Sequence, residues 1–320
     1  MKKRKVLITG GNGYVGREAT RLLYPDHDVC VVDCLRYGTL RFSDAELSKF
    51  RFSNIDIADP EMLGSLISDF DPDTIIHLAA IHYIPECENS PLLAARTNIL
   101  GTINIGSLCP ADCRLVFASS GAVYQPELVP HCEKTSPIGP SDVYGFTKLH
   151  GEQYVRYFSE KRKLSAVNVR LFNVVGPGET NPHLVPEIIA QLKAGRTAIR
   201  LGNVKPRRDY IHVLDAARGF VDIALKTPMG VQQCIEVNLG TGTAYSVQDV
   251  ISKLQGITNA KVSIEMDPAR VRSVDRPFLA ANITKAQELF GWRPQRSLDD
   301  ALSDLWKNPD LAPELLAKYA

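Results

Sequence analysis

A chain of 320 residues with 44% hydrophobic and 23% charged residues has the composition of a folded globular protein, with room for one large or two medium domains. Its net charge of +1 gives no global reason to expect nucleic acid or an anionic membrane as partner. The apolar run behind the basic start Met1-Lys2-Lys3-Arg4-Lys5 is too short for a signal peptide or membrane span, and the scattered cysteines, read as reduced thiols, give the expectation of a cytoplasmic protein.

In chain order, the first predicted element is a short buried strand over 6–9, followed by the loop Thr9-Gly10-Gly11-Asn12-Gly13-Tyr14-Val15-Gly16. A helical pattern (Val15, Ala19, Leu22, Leu23) comes next, and a second strand over 29–33 ends on Asp33. Glycines at 10, 13 and 16 let the backbone turn tightly, approach a diphosphate and pack helix on strand, while the helix N-terminus offers free N–H groups. Asp33 stands seventeen residues after Gly16, where a carboxylate accepts hydrogen bonds from an adenosine ribose. This unit predicts dinucleotide binding. Further strands over 74–79, 115–119 and 166–170 alternate with helical patterns, one of them over 92–108. The expected fold is therefore α/β, a Rossmann-type doubly wound parallel sheet. Past Asn173, Gly176-Pro177-Gly178 and Asn181-Pro182 break the alternation. We expect residues 1–173 to form the dinucleotide-binding domain and 174–320 mainly a smaller, discontinuous substrate-binding domain. A return segment near 211–239 (211–225 and 235–239) is expected to rejoin the first domain.

Tyr144-Gly145-Phe146-Thr147-Lys148 carries the second chemical signal. On a helix, positions 144 and 148 share a face one turn apart. A phenol titrates near ~10, too high for a general base at neutral pH. A neighbouring ammonium, with the positive nicotinamide ring of an oxidised cofactor, would favour the phenolate. Ser120, at the end of a predicted strand, could hydrogen-bond the same reacting hydroxyl. The plainer alternative makes Tyr144 and Lys148 an amphipathic helix face and Ser119-Ser120 a turn. The seven cysteines are odd in number and scattered, and read as reduced thiols. Cys109 and Cys113 are the pair that could suggest a metal, but no nearby Cys or His completes a tetrahedral set, and the histidines lack ligand spacing. No metal is expected.

These motifs, together with Asp56-Ile57, His77-Leu78-Ala79-Ala80, Asn98 and Ser119-Ser120-Gly121-Ala122-Val123-Tyr124, form an ordered set. It continues through Arg170-Leu171-Phe172-Asn173-Val174-Val175-Gly176-Pro177-Gly178, Arg208-Asp209-Tyr210-Ile211-His212-Val213, Arg272 with Asp275, and Leu289-Phe290-Gly291-Trp292-Arg293-Pro294. The set resembles the extended short-chain dehydrogenase/reductase family, in its nucleotide-sugar epimerase/dehydratase branch. The resemblance implies that Gly10, Gly13, Tyr14, Val15 and Gly16 cradle the diphosphate of NAD, with Asp33 on the adenosine ribose and Asp56 and Ile57 at adenine. Ala79, Ala80, His82 and Asn98 would flank the nicotinamide half, with Tyr144 and Lys148. Asp33 implies NAD rather than NADP, since a carboxylate repels a 2′-phosphate, although Arg36 lies close by. A nucleotide-diphosphate sugar, first of all a UDP-sugar, would meet His82, Ser120, Tyr144, Asn173, Arg208, Arg272 and Asp275. Paired arginines suit diphosphate oxygens, and Arg207 and Arg270 are read as surface.

The implied chemistry has Tyr144 as base, with Ser120 and Lys148 assisting, in a 4-epimerase passing through a transient 4-keto sugar. Dehydratases of the branch carry an Asp-Glu pair where this chain has Gly121 and Ala122, and its decarboxylases commonly keep a Glu at the Ala122 position. Neither residue can move a proton, which favours epimerisation. The alternatives are a dehydratase or C3/C5 epimerase using His82 or Glu86, and, in another class, a non-catalytic NAD-binding scaffold or sensor. Leu279 holds the position that in related enzymes governs room for an N-acetyl group. A homodimer pairing helices near 92–108 and 151–161 is also implied.

Overall fold

The computed structural model describes residues 3–179, 181–226, 233–270, 276–311 and 313–319, so Arg272 and Asp275 lie outside the described residues. Its strands, in chain order, are β1 (Lys5–Thr9), β2 (Asp28–Asp33), β3 (Arg51–Asn54), β4 (Thr74–His77), β5 (Arg114–Ser120), β6 (Ser165–Leu171) and β7 (Asn173–Val175). They continue as β8 (Ala198–Leu201), β9 (Arg207–His212), β10 (Cys234–Leu239), β11 (Ala244–Ser246), β12 (Ser263–Met266) and β13 (Phe278–Leu279).

Seven of them form one parallel sheet in the order β10-β6-β5-β4-β1-β2-β3. Strands covered on both faces need unbroken apolar runs rather than alternation. Val6-Leu7-Ile8 and Val29-Cys30-Val31-Val32 are such runs, and all seven residues are buried. The helices Tyr14–Leu23 and Val213–Lys226 cover one face, packing Ala19, Leu23, Ala217 and Phe220 on Ile8, Val31, Ile76 and Val116. The helices Pro60–Phe70, Gly101–Leu108 and Val143–Arg162 cover the other, over Leu7, Ile75, Leu115 and Phe117. The order of strands reverses between β1 and β4, and in open α/β sheets ligands bind at that point, beyond the carboxyl ends.

The helix Val213–Lys226 packs on the large sheet, and β10 pairs with its strand β6. A second core gathers Ile188, Ile189, Val250, Leu254, Leu302 and Leu305 beside the small sheets β11-β9-β13, with β7 on β9, and β12-β8. Two sequence expectations change. The strand over 74–79 stops at His77, and the helix over 92–108 is divided into Pro91–Ala95, a π turn Arg96–Leu100 and Gly101–Leu108. Local periodicity could not show that break, because its reason is tertiary. In the wide turn the Asn98 amide bonds both the N–H (2.8 Å) and the carbonyl (2.9 Å) of Ile81, on the loop after β4.

Candidate active site

A cavity of 1270 Å³ opens beyond the carboxyl ends of β1, β2, β4, β5 and β6. At its β1 end Gly10 has φ +69°, and a Cβ on Gly16 would lie 2.1 Å from the Gly10 carbonyl oxygen. Only a bare backbone fits there. Gly13 caps the helix Tyr14–Leu23 without any side-chain bond to its N–H groups, so the helix end stays available to an anion. The Asp33 carboxylate closes β2, accepting from the N–H groups of Asn12 (3.1 Å) and Leu35 (2.9 Å), and burial still raises its pKa. A cradle that excludes any Cβ, an uncapped helix end and an acid one strand away fit the diphosphate and ribose of a dinucleotide. Asp56, Ile57, Ala79 and Ala80 line the same wall.

Ser120, Tyr144 and Lys148 meet on the cavity beyond β5. The Asp142 side chain caps the helix Val143–Arg162 by accepting from Gly145 N–H at 2.7 Å, which starts the helix where Tyr144 and Lys148 face inward. The Ser120 hydroxyl oxygen accepts from Ala122 N–H at 3.1 Å, and the hydroxyl is hydrogen-bonded to the Tyr144 phenol. Lys148, only 2% exposed, donates to the Ala118 carbonyl at 2.8 Å and lies 5.8 Å from the Tyr144 ring centre. Burial lowers the lysine to about 7 and raises the phenol above its ordinary value. In the protein alone, desolvation dominates both groups, weakening the lysine's charge and disfavouring the phenolate.

The far end of the cavity is walled by Asn173, Arg208, Leu279, Arg270 and Arg276. Arg208 donates to the carbonyls of Arg207 (3.0 Å) and Arg276 (2.7 Å). The buried Arg276 guanidinium donates to the Ala122 carbonyl (2.8 Å), the Ser141 hydroxyl (3.2 Å) and the Asp142 carboxylate (3.1 Å). Between the two ends stands half-buried His82, whose Nε2 lies 3.0 Å from the Asn181 amide and whose pKa burial lowers to about 4.

The comparisons with known proteins agree with this geometry. Residues 6–240 match the model of the NAD dependent epimerase/dehydratase family. The chain belongs to that family. It is 31% identical to a UDP-glucose 4-epimerase of Lactobacillus helveticus, over 95% of this chain and 96% of the relative. A crystal structure of UDP-glucose-4-epimerase from Stenotrophomonas maltophila, with bound NAD and formylated UDP-arabinopyranose, superposes with a TM-score of 0.84 at 26% identity, covering 99% of this chain and 100% of that one. An epimerase, Mth375, from Methanothermobacter thermautotrophicus gives 0.85 at 26% identity, covering 99% of this chain and 95% of that one. The protein is an NAD-dependent nucleotide-sugar epimerase, an isomerase, with NAD as its cofactor.

In this epimerase the residues singled out from the sequence do not all face the cavity. Asn98 does not line it: its amide is spent on Ile81 and on Thr147 Oγ1 (2.9 Å), so it positions the loop that carries Ala80 and His82. Glu86 is bound by Arg36 (2.8 Å) and the Tyr37 hydroxyl (2.9 Å), which occupies both its carboxylate oxygens and also engages Arg36. Arg270, read as surface, lines the cavity and pairs with Glu187 at 3.0 Å, whereas the Arg207 side chain is half exposed. Sequence reasoning missed Arg276 and also Glu179, a buried carboxyl pushed up to about 8 by desolvation. Proximity of Arg276 to the Asp275 motif was its only signal; nothing local marked Glu179.

Proposed function

We propose that the enzyme is a nucleotide-sugar 4-epimerase taking a UDP-sugar. The observation that carries the reading is the meeting of Ser120, Tyr144 and Lys148 on one cavity wall, directly followed by Gly121 and Ala122, which have no group to move a second proton. Elimination across C5 and C6 needs an acid and a base beyond Tyr144. Glu86 is held by Arg36 and Tyr37, which removes one alternative source of them.

NAD, when bound, supplies reversible hydride exchange at the sugar carbon. Tyr144 takes the proton of the 4-hydroxyl and gives it back, while the Ser120 hydroxyl hydrogen-bonds the same oxygen. Lys148, one helical turn from the phenol, together with the positive nicotinamide ring of the oxidised cofactor, would favour its ionised form. Gly10, Gly13, Tyr14, Val15 and Gly16 would hold the cofactor diphosphate, and Asp33 its ribose. Asn173 and Arg208, with Arg272 and Asp275, would take the substrate's nucleoside diphosphate. Leu92, Leu100, Phe146, Tyr154 and Tyr157 are exposed on the helices expected to pair, which supports a homodimer testable by sedimentation equilibrium. The free cysteines fit the cytoplasm proposed for the enzyme.

The test is Tyr144→Phe. It should lower turnover of a UDP-sugar by about 10²–10⁴-fold while NAD remains bound. Undiminished turnover would remove Tyr144 from the chemistry. A wild-type protein that binds NAD and turns over no nucleotide sugar would instead be a scaffold.

A further inference from the structure

Three side chains on the cavity wall take no part in the proton and hydride transfers of the proposed epimerisation. Glu179, His183 and His82 come from two separately anchored segments. The turn after β7 is pinned by the first helix of the large sheet: the Tyr14 hydroxyl donates to the Gly176 carbonyl (2.8 Å) and Arg17 to the Gly178 carbonyl (2.9 Å). Glu179 follows at once and is only 5% exposed, and His183 sits at the start of the helix Leu184–Lys193. Opposite them, His82 lies next to Ile81, whose backbone is clamped by Asn98. The His82 and His183 rings stack with centres 5.8 Å apart, and His183 Nε2 lies 3.5 Å from the Glu179 carboxylate.

We propose that His82, Glu179 and His183 form a site for one divalent transition metal of the zinc class, open on its fourth side to the cavity. Their ligand atoms all lie within 4.8 Å of one another. A tetrahedral ion with bonds of about 2.1 Å sets its ligand atoms roughly 3.4 Å apart. The His183–Glu179 pair already stands near that spacing at 3.5 Å, and the two edges to His82, both within 4.8 Å, would close by side-chain rotation. Two imidazoles and one carboxylate select zinc, cobalt or nickel over magnesium or calcium, which prefer sets made wholly of oxygen. His82 also has an outer support: its ring is hydrogen-bonded to the Ala80 backbone, and since Nε2 faces Asn181, that bond falls to Nδ1. Such a bond to the second ring nitrogen is what orients a ligating imidazole. On binding, the metal would replace the Asn181 amide at Nε2 and tie the loop after β4 to the turn after β7. Glu179 and His183 are four residues apart, but His82 lies about a hundred residues earlier in the chain, so sequence spacing could not announce the full set.

The probe is Co²⁺, titrated into NAD-loaded protein and followed by visible absorption, with Zn²⁺ as competitor. One equivalent should give the d–d bands of a low-coordinate nitrogen/oxygen site and be displaced by one equivalent of Zn²⁺. His183→Ala and Glu179→Gln should each weaken binding about tenfold or more, while Asn181→Ala, which removes only the competing amide, should keep or tighten it. Both ligand variants retaining wild-type affinity would overturn the proposal. So would an absence of d–d bands, or an intense thiolate-to-metal band showing that the ion sits on cysteine.

Discussion

Replacing Lys148 by Met should change how the stability of this protein depends on pH, and the structure supplies the magnitude. Lys148 is buried against Phe117 and Tyr144, and burial lowers its pKa from 10.5 to about 7. In the unfolded chain the same amine holds its proton to about 10.4. Between these values the unfolded state binds more protons than the native one, so stability rises with pH across that window. Below pH 7 both states are protonated, and the buried charge exerts its full destabilising effect, an upper bound of about 5 kcal/mol from the whole shift. The Met variant has no such group. Relative to it, the wild type should gain about 1.4 kcal/mol of unfolding free energy between pH 6 and pH 8. The lost bond to the Ala118 carbonyl adds a pH-independent offset of about 1 kcal/mol in favour of the wild type. Urea unfolding of both proteins, stripped of dinucleotide, at pH 6, 7 and 8 measures the difference directly. Parallel curves across that range would refute the reasoning, because they would mean that Lys148 does not titrate there in the folded state.

Three further substitutions probe separate parts of the molecule. Gly16→Ala places a Cβ against the Gly10 carbonyl oxygen, so the cradle must open; the purified variant should lose its NAD, measured by releasing and quantifying dinucleotide from denatured protein. Glu152→Ala leaves the Arg170 guanidinium buried and uncompensated, since Glu152 accepts from its Nε (2.9 Å) and Nη2 (2.7 Å); unfolding free energy should fall by about 3–5 kcal/mol in urea titrations. Leu279→Tyr adds bulk to the buried wall at the far end of the cavity. It should lower turnover of N-acetylated UDP-sugars relative to plain ones with NAD content unchanged, and equal relative rates would exclude Leu279 as a determinant of sugar choice.

The sheet was legible from the sequence because its signals are local. Val6-Leu7-Ile8, the glycines at 10, 13 and 16, and Asp33 lie within one short stretch, and each speaks through its own spacing. Tyr144 and Lys148 could be paired for the same reason, being one helical turn apart. What stayed hidden depends on partners far away in the chain. Asn98 has a side chain suited to a cofactor contact, but the amide is taken by Ile81 and Thr147. Glu86 could pass for a spare acid until Arg36 and Tyr37 are seen on it. The weakened charge of Lys148 comes from burial, which no helix-face argument measures. Arg276 becomes meaningful only when the chain returns beside Ala122 and Asp142 to place it next to the helix that carries Tyr144.

The most direct measurement is proton NMR of the purified enzyme in heavy water, with NAD and a panel of UDP-, dTDP-, GDP- and CDP-sugars. Interconversion of a UDP-sugar at C4, with no deuterium entering the ring, is the expected result, because the carbon-bound hydrogen leaves and returns as hydride. Deuterium at C3 or C5, or loss of water from the sugar, would contradict it by showing a carbon acid deprotonated by a base other than Tyr144.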